Sequence, residues 1–426
     1  MPSNHHLKRP HQPLSPSSSS TSYFYIFVSI ISLTALFLLS SHYITSNSPP
    51  LIRIESVKPI KQYVPLTDDD NGAAGSAACD YSEGKWFYDP TVRAPRYDQT
   101  CKEIYKGWNC VAGNRSGAME IVKWRWQPNH CALPQFDPIR FLESHRDISI
   151  GSYYGPLSAG FVGDSLNRNM FVSLFCSLRR VAGEIKKWRP AGADRGFTFL
   201  KYNFTIAYHR TNLLARYGRW SANAKGGVLE SLGYKEGYRV DIDVPEGTWA
   251  EAPSFHNILI YNTGHWWWAP SKFDPVKSPM LFHEKGQPLV PPLSPETGLD
   301  VVLRRMKKSQ DQEHFYFFAL NLLGHFEGGD WDQGGSCARL RPLSPKEVEQ
   351  FFSVEKNGTN VEVRLVNEHL NEAIKGSAFR LLDVTRMSEF RAMLILLQLA
   401  ERSMLIACTG AYLELPILGM TCSLHS

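Results

Sequence analysis

Short apolar runs bounded by polar residues recur along the chain at Ile258–Tyr261, His314–Phe318 and Phe379–Val384, and each reads as a buried strand. Leu365, Val366, Leu370 and Ile374 recur at helical spacing and predict a helix before the last of these strands. The same spacing appears in Met170, Phe171, Leu174, Phe175 and Leu178, directly after the small apolar run Gly160-Phe161-Val162-Gly163. Strands alternating with helices argue for an α/β sheet with helices on its faces. In such sheets the chemistry gathers outside the carboxyl ends of the strands. One stretch has no period at all. Tyr23 to Ser40 is almost wholly apolar, and no Asp, Glu, Lys or Arg occurs between Arg9 and Arg53. That length crosses a bilayer as a helix. A cleavable signal peptide is the alternative, but the run is longer than a usual signal core and starts more than twenty residues in, which favours an uncleaved anchor over residues 23–41. Lys8 and Arg9 precede it, so residues 1–22 are expected in the cytoplasm and everything after the anchor in the lumen.

Composition narrows the remainder. A chain of 426 residues, 43% hydrophobic and 20% charged, can bury a full core. A net charge of +5 is too mild for a dedicated nucleic-acid surface, so no nucleic-acid partner is expected. All eight cysteines lie beyond the anchor and none forms a CxxC pair, which points to disulfides rather than zinc. Sequons at Asn114, Asn203 and Asn357 suit a lumenal body. Residues 42–76, with Pro49-Pro50 and Asp68-Asp69-Asp70, read as a stem. Residues 77–137 hold Cys79, Cys101, Cys110 and Cys131 among Trp86, Trp108, Trp124 and Trp126, a loop-rich region expected to need covalent staples. Trp124 and Trp126 can stack on sugars, but packing on either side of Arg125 is the favoured reading. No Gly-rich phosphate loop, HExxH helix or paired-Cys site is present, so neither a nucleotide enzyme nor a metal centre is indicated.

Two stretches belong at the carboxyl edge of the sheet. In Gly163-Asp164-Ser165 a tight turn between strand and helix lifts a hydroxyl to that edge, where N–H groups at the helix start can hold a developing oxyanion, and Ser165 is the candidate nucleophile. In Asn262-Thr263-Gly264-His265-Trp266-Trp267-Trp268 the Asn262 amide suits an oxyanion hole, while the Trp run offers flat apolar faces for pyranose rings. The competing reading has Asn262 capping a turn and His265 as a structural histidine.

With these residues laid out, the chain resembles the plant trichome-birefringence-like family from Cys79 to Ala392. The family's opening pattern stands as Cys79-Asp80 with Gly84 and Trp86, Asn109-Cys110, then Trp124 to Asp137. Its G-D-S-L-N-R-N is Gly163–Asn169, its N-T-G-H-W-W is Asn262–Trp267, and its H-F-x-x-G-D-W-x-x-G-G-S-C is His325–Cys337. The resemblance implies a type II Golgi membrane protein that O-acetylates cell-wall polysaccharide on a GDSL/SGNH-esterase-like α/β core, residues 138–392. It implies a Ser–His–Asp triad working by double displacement: a donor, with acetyl-CoA as the candidate, acetylates Ser165, and the acetyl group then passes to a sugar hydroxyl. No bound cofactor is implied, and the oligomeric state is left open. Asn262 takes the oxyanion role by analogy, with His265, Trp266 and Trp267 as sugar contacts. An acetylesterase using water as acceptor and a non-catalytic polysaccharide binder are the rival readings. The resemblance also implies disulfides Cys79–Cys131 and Cys101–Cys176, with Cys110 and Cys337 bonded to two cysteines of a C-terminal D-C-x-H-W-C-L-P-G.

That C-terminal stretch, which carries the family's catalytic His and Asp, is absent here. Ser152–Gly160 intrudes where the family runs directly into F-V-G-D-S, as a retained piece of intron would, and its Pro156 and glycines are expected to break the nucleophile strand. Ala319–Gly324 replaces a polar R-T-x-S-P-R before His325, and nothing after Ala392 fits. Back-translated and shifted in frame, Ser403–Glu414 permits H-A-D-C-M-H-W-C-L-P-G, and Phe318–Gly324 permits R-T-Q-S-P-R. Residues 393–426 therefore read as an out-of-frame version of the catalytic end.

Overall fold

The structure is a computed structural model. It describes residues 80, 82–91, 99–105, 109, 111–114, 117–121, 123–130, 136–144, 149–150, 153–154, 157–245, 247–269, 272–311, 314–320, 339–356 and 361–390, all within the compact unit Ala77–Ser426. The expected anchor, stem and C-terminal tail lie outside the described residues, as do Cys79, Cys110, Cys131, His325, Cys337 and Asn357. Among the described residues no helix is long and apolar enough to cross a membrane.

Strand β1 (Gly84–Tyr88), the short helix α1 (Ala118–Ile121) and β2 (Trp124–Pro128) come first, and β1 and β2 pair antiparallel with Trp86 opposite Trp126. Next are α2 (Pro138–Ser144) and the two-residue strands β3 (Ser149–Ile150) and β4 (Tyr153–Tyr154), which pair with each other. The central strand β5 (Ser158–Gly163) and helix α3 (Ser165–Leu178) follow. Then come β6 (Ile185–Trp188), β7 (Arg195–Phe199), β8 (Phe204–Arg210), β9 (Arg216–Ser221), α4 (Val228–Ser231), β10 (Glu236–Asp241), β11 (Ile258–Tyr261), β12 (Met280–Glu284) and β13 (Gln287–Pro288). Helix α5 (Pro295–Lys308), β14 (Phe315–Ala319), α6 (Pro345–Phe352), α7 (Glu362–Ile374), β15 (Phe379–Leu382) and α8 (Thr385–Glu389) complete the described chain.

The main sheet has the order β15-β14-β11-β5-β8-β7-β6. Its first five strands are parallel, and β7 and β6 add antiparallel at one edge. Side chains alternate across a strand, so strands buried on both faces read as continuous apolar runs. Phe161, Ile258, Ile260 and Phe317 face one core with Phe171, Phe175 and Leu178 of α3. Val162, Leu259, Tyr261 and Phe318 face the other, with Leu299, Val302 and Leu303 of α5 and Val366, Leu370 and Ile374 of α7. Leu365, expected on that buried stripe, is 42% exposed. A smaller sheet, β13-β12-β10-β9, joins the second core through Tyr238, Val240 and Phe282.

The strand carrying the candidate nucleophile is not broken. Ser158, Ala159 and Gly160, assigned from sequence to the intrusion, are the first half of β5, and all six residues of that strand are buried. The ladder to β8 runs from Ser158 opposite Thr205 to Gly163 opposite Arg210. The ladder begins at Ser158, two positions after Pro156 in sequence, and a proline outside a ladder removes none of its N–H donors. Gly160 is needed by close approach, since a Cβ there would lie 2.6 Å from the His256 ring.

Trp124 and Trp126 pack, as the favoured reading has it. Trp126 is buried with Val348, Phe352, Met387 and Phe390, the Trp86 indole donates to the Met387 carbonyl, and Trp124 donates to the Leu340 carbonyl. Arg125 between them pairs with Asp89 at 2.8 Å. The bridge Cys101–Cys176 ties this region to α3.

Candidate active site

Chain order places β8 on one side of β5 and the later β11 on the other, so β5 sits at the switch point where open α/β sheets leave a crevice at the carboxyl edge. Asp164 is the N-cap of α3, its Oδ1 accepting from the Leu166 N–H at 2.8 Å, and Ser165 is the first helical residue. Ser165 is partly exposed there, and no described residue hydrogen-bonds its hydroxyl. The first-turn N–H groups and the dipole of a 14-residue helix favour negative charge at this end.

The turn is locked from a distant strand. The Asp164 N–H donates to Asn262 Oδ1 at 3.1 Å, and Asn262 Nδ2 donates to Asp164 Oδ1, also at 3.1 Å. This reciprocal pair fixes the orientation of the amide, because the backbone N–H needs an acceptor and the carboxylate needs a donor. Both residues are 1% exposed. Gly163 is required by the same approach, as a Cβ there would lie 2.0 Å from Asn262 Oδ1. Asn262 thus holds the turn that carries Ser165, and its second amide hydrogen has no acceptor among the described residues.

Two further residues hold the turn and escaped the sequence reading. Asn167 spends both amide hydrogens on the Val162 and Ile260 carbonyls, at 2.9 and 2.8 Å, stitching the ends of β5 and β11 together. The Tyr208 hydroxyl donates to the Gly163 and Asp164 carbonyls at 3.2 and 3.0 Å, and burial pushes its phenol far above the ordinary range, so it stays a donor. Asn167 stands inside the singled-out motif and could have been found there; nothing in the sequence marks Tyr208.

Arg168 stands one turn beyond Ser165. Burial, with Arg210 and Arg195 near, pushes its guanidinium down from the ordinary value against the pull of Tyr208 and Asp164, and it remains a cation. Together with the helix end it makes the surroundings of Ser165 favourable to a developing anion.

The second stretch divides. The His265 side chain is 40% exposed, with Nδ1 3.4 Å from Asp164 Oδ2, and Trp266 is half-buried beside it, with Lys272 Nζ 5.1 Å from its ring centroid. Both are at the carboxyl edge, as expected. Trp267 is not a sugar contact: it is 1% exposed, stacks on Phe282 and donates its indole N–H to Thr263 at 3.0 Å. Residues 265–268 form a turn of 3₁₀ helix, whose short period sends the middle ring into the core. The sequon residues Asn114 and Asn203 are exposed.

Residues 133–393 match the PC-Esterase family, described as a GDSL/SGNH-like acyl-esterase family found in Pmr5 and Cas1p, and residues 77–132 match the PMR5 N terminal domain. The chain is 61% identical over 371 residues to trichome birefringence-like 13 of Arabidopsis thaliana, covering 86% of this chain and 85% of that protein. It is 39% identical over 323 residues to trichome birefringence-like 12 of the same plant, covering 75% and 76%. It is 29% identical over 341 residues to xyloglucan O-acetyltransferase 1 of Populus trichocarpa, covering 75% and 71%. The chain belongs to the trichome birefringence-like family and carries its GDSL/SGNH-like acyl-esterase domain.

Proposed function

We propose that this chain descends from a Golgi-anchored O-acetyltransferase that moves acetyl groups onto hydroxyls of cell-wall polysaccharide through Ser165, and that the chain as written is impaired. The observation that carries the reading is the placement of Ser165 at the first turn of α3, on a turn locked by Asn262 at the switch point of the sheet. In the first half-reaction Ser165 Oγ attacks the acyl carbon of the donor, its proton passes to a base, and the donor's leaving group departs with a proton. In the second the sugar hydroxyl attacks the acetyl-serine, loses its proton to the base and returns the Ser165 hydroxyl. The start of α3 and the spare hydrogen of Asn262 face the oxyanion of each tetrahedral intermediate. Trp266 and His265 line the acceptor side. The relative named a xyloglucan O-acetyltransferase supports an acetyl transfer to polysaccharide.

Impairment follows from the missing D-x-x-H, and the end of the family match at residue 393 supports that reading. The apolar run Tyr23–Ser40, with Lys8 and Arg9 before it, supports a type II anchor. A second reading, hydrolysis of acetyl esters with water as acceptor, is favoured by the description of the matched family as acyl-esterase. The test gives the chain as written, and a chain with the frame restored from residue 393, an acetyl donor with xylan, glucomannan, xyloglucan or pectin oligosaccharides. Acetyl gain by the restored chain that Ser165→Ala abolishes supports transfer. Acetyl loss from acetylated oligosaccharides establishes the esterase instead, and binding without either change refutes both.

A further inference from the structure

A cavity of about 300 Å³ lies on the second-core face of the sheet, with Tyr261 at the end of β11 and Leu214 after β8 on its wall. Other walls come from the end of α5 (Met306, Ser309, Gln310), the start of β14 (Tyr316) and the start of β15 (Phe379). In a parallel sheet these points mark the amino edge, whereas Ser165 follows the end of β5 at the carboxyl edge. The opposite wall is the segment after β10, with Asp243 and Trp249. At the lower end of small-ligand pocket sizes, the space matches about ten waters by volume.

Three buried polar atoms of the lining residues have no hydrogen-bond partner among the described residues: Asp243 Oδ1, Trp249 Nε1 and Gln310 Nε2. Trp249 is only 6% exposed. The other end of each polar group is used, since Asp243 Oδ2 accepts from the Lys285 N–H at 2.7 Å and Gln310 Oε1 from the Ala378 N–H at 2.9 Å. Both side chains are therefore held in place with one atom to spare. Buried polar atoms in native folds are satisfied, and unpaired ones call for a ligand or ordered water. Around them stand aromatic rings, with Trp249 edge-on to Tyr261 at 6.3 Å and Tyr261 to Phe379 at 5.8 Å.

We propose that this cavity is a second ligand site and takes a neutral pyranose, either a free sugar or the end of a glycan chain. One fixed acceptor, two fixed donors and apolar rings complement hydroxyls, which donate and accept, on a ring with apolar C–H faces. An anionic ligand would face the Asp243 carboxylate, and the Arg305 guanidinium at the wall is already paired with Glu284 at 2.5 Å. A cation would meet two N–H donors. The inference does not rest on acetyl transfer at Ser165.

The test measures binding of D-xylose, D-glucose, D-galactose and D-mannose to the full chain by saturation-transfer NMR, with D-galacturonate as the anionic control and the matching oligosaccharides alongside. At least one neutral pyranose should bind saturably and galacturonate about tenfold more weakly. Asp243→Asn, Trp249→Phe and Gln310→Glu nearly preserve shape and should each weaken binding about tenfold. Trp266→Ala, outside the lining, should leave it unchanged. A terminal-residue site binds oligosaccharides at least as well as monosaccharides, and a free-sugar site excludes them. Binding of none of the sugars, binding untouched by all three cavity variants, or binding lost in Trp266→Ala overturns the proposal.

Discussion

Replacing Asn262 by Asp changes one atom and sets the Asn262–Asp164 lock against itself. The Asp164 N–H keeps its acceptor, but the donor that faced Asp164 Oδ1 at 3.1 Å becomes a carboxylate oxygen. Two unit charges 3.1 Å apart repel by about 5 kcal/mol at an effective dielectric of about 20. Both groups are 1% exposed, so solvent relieves little of this, and the pair escapes by holding a proton. The pair's carboxyl pKa is thereby raised above its unfolded value of about 3.9. The penalty is fully present above the raised pKa and is lost as pH falls through it, because the folded state then binds the extra proton. Asn262→Asp should thus unfold at clearly lower urea than the parent at pH 7, with the gap narrowing toward pH 5 at unchanged m. Asn262→Ala, which leaves the Asp164 N–H unpaired, should cost about 1–3 kcal/mol with no such narrowing. Equal midpoints for the Asp variant and the parent at pH 7, or a gap that widens on acidification, would refute the lock.

Gly163→Ala should cost about 1–3 kcal/mol of stability, read as a lower urea midpoint, since its Cβ meets Asn262 Oδ1 at 2.0 Å; an unchanged midpoint contradicts the close approach. His256 is buried against His209, Nε2 to Nε2 at 2.9 Å, and burial first, then the His209 charge, holds its imidazole well below the ordinary value. The unfolded chain takes up that proton below about pH 6.5, so stability should fall by about 1.4 kcal/mol per pH unit from there downward, and a flat profile between pH 6.5 and 5 would exclude a buried neutral His256. Cys101→Ser opens a loop of sequence separation 75 and should cost about 4.5 kcal/mol in the chain-entropy account, read from urea melts under oxidising conditions. The chain as written should fall short of the frame-restored chain in acetyl transfer by on the order of 10⁴-fold, and equal rates would sink the out-of-frame reading.

The strands were legible where an apolar run was short and sharply bounded. Ile258–Tyr261 is β11 as read, and the run at His314–Phe318 is β14 displaced by one residue. The broken nucleophile strand was a misplacement: the proline rule holds only inside a ladder, and the sequence does not show that pairing begins at Ser158, after Pro156. Three consecutive tryptophans carry no period, so nothing in them says that Trp267 turns inward and Trp266 does not. The jobs of Asn167 and Tyr208 depend on which strands neighbour β5, and the sequence separation of 93 from Asn167 to Ile260 puts that contact beyond any local pattern. Unpaired atoms at Asp243, Trp249 and Gln310 likewise converge only through the fold.

The topology also bears on where a general base must come from. β15 runs parallel to β14, so the chain leaves it at Leu382 on the same edge as Ser165. The residues that directly follow Leu382 are thus on that side of the sheet. The carboxylates that follow within the described residues are engaged elsewhere. Asp383 Oδ1 accepts from the Thr385 N–H at 2.9 Å, and Glu389 is 2% exposed and bonded to Arg364 at 2.5 and 3.0 Å. Past Phe390 the sequence holds one histidine, His425, with Cys422 rather than an acid three positions before it, and no aspartate at all. A Ser–His–Asp triad needs an imidazole that takes the serine proton and an acid that orients the imidazole. The turn that carries Ser165 is built and held within the described residues, so the proposed impairment rests on the sequence after Phe390 and not on the fold that presents Ser165.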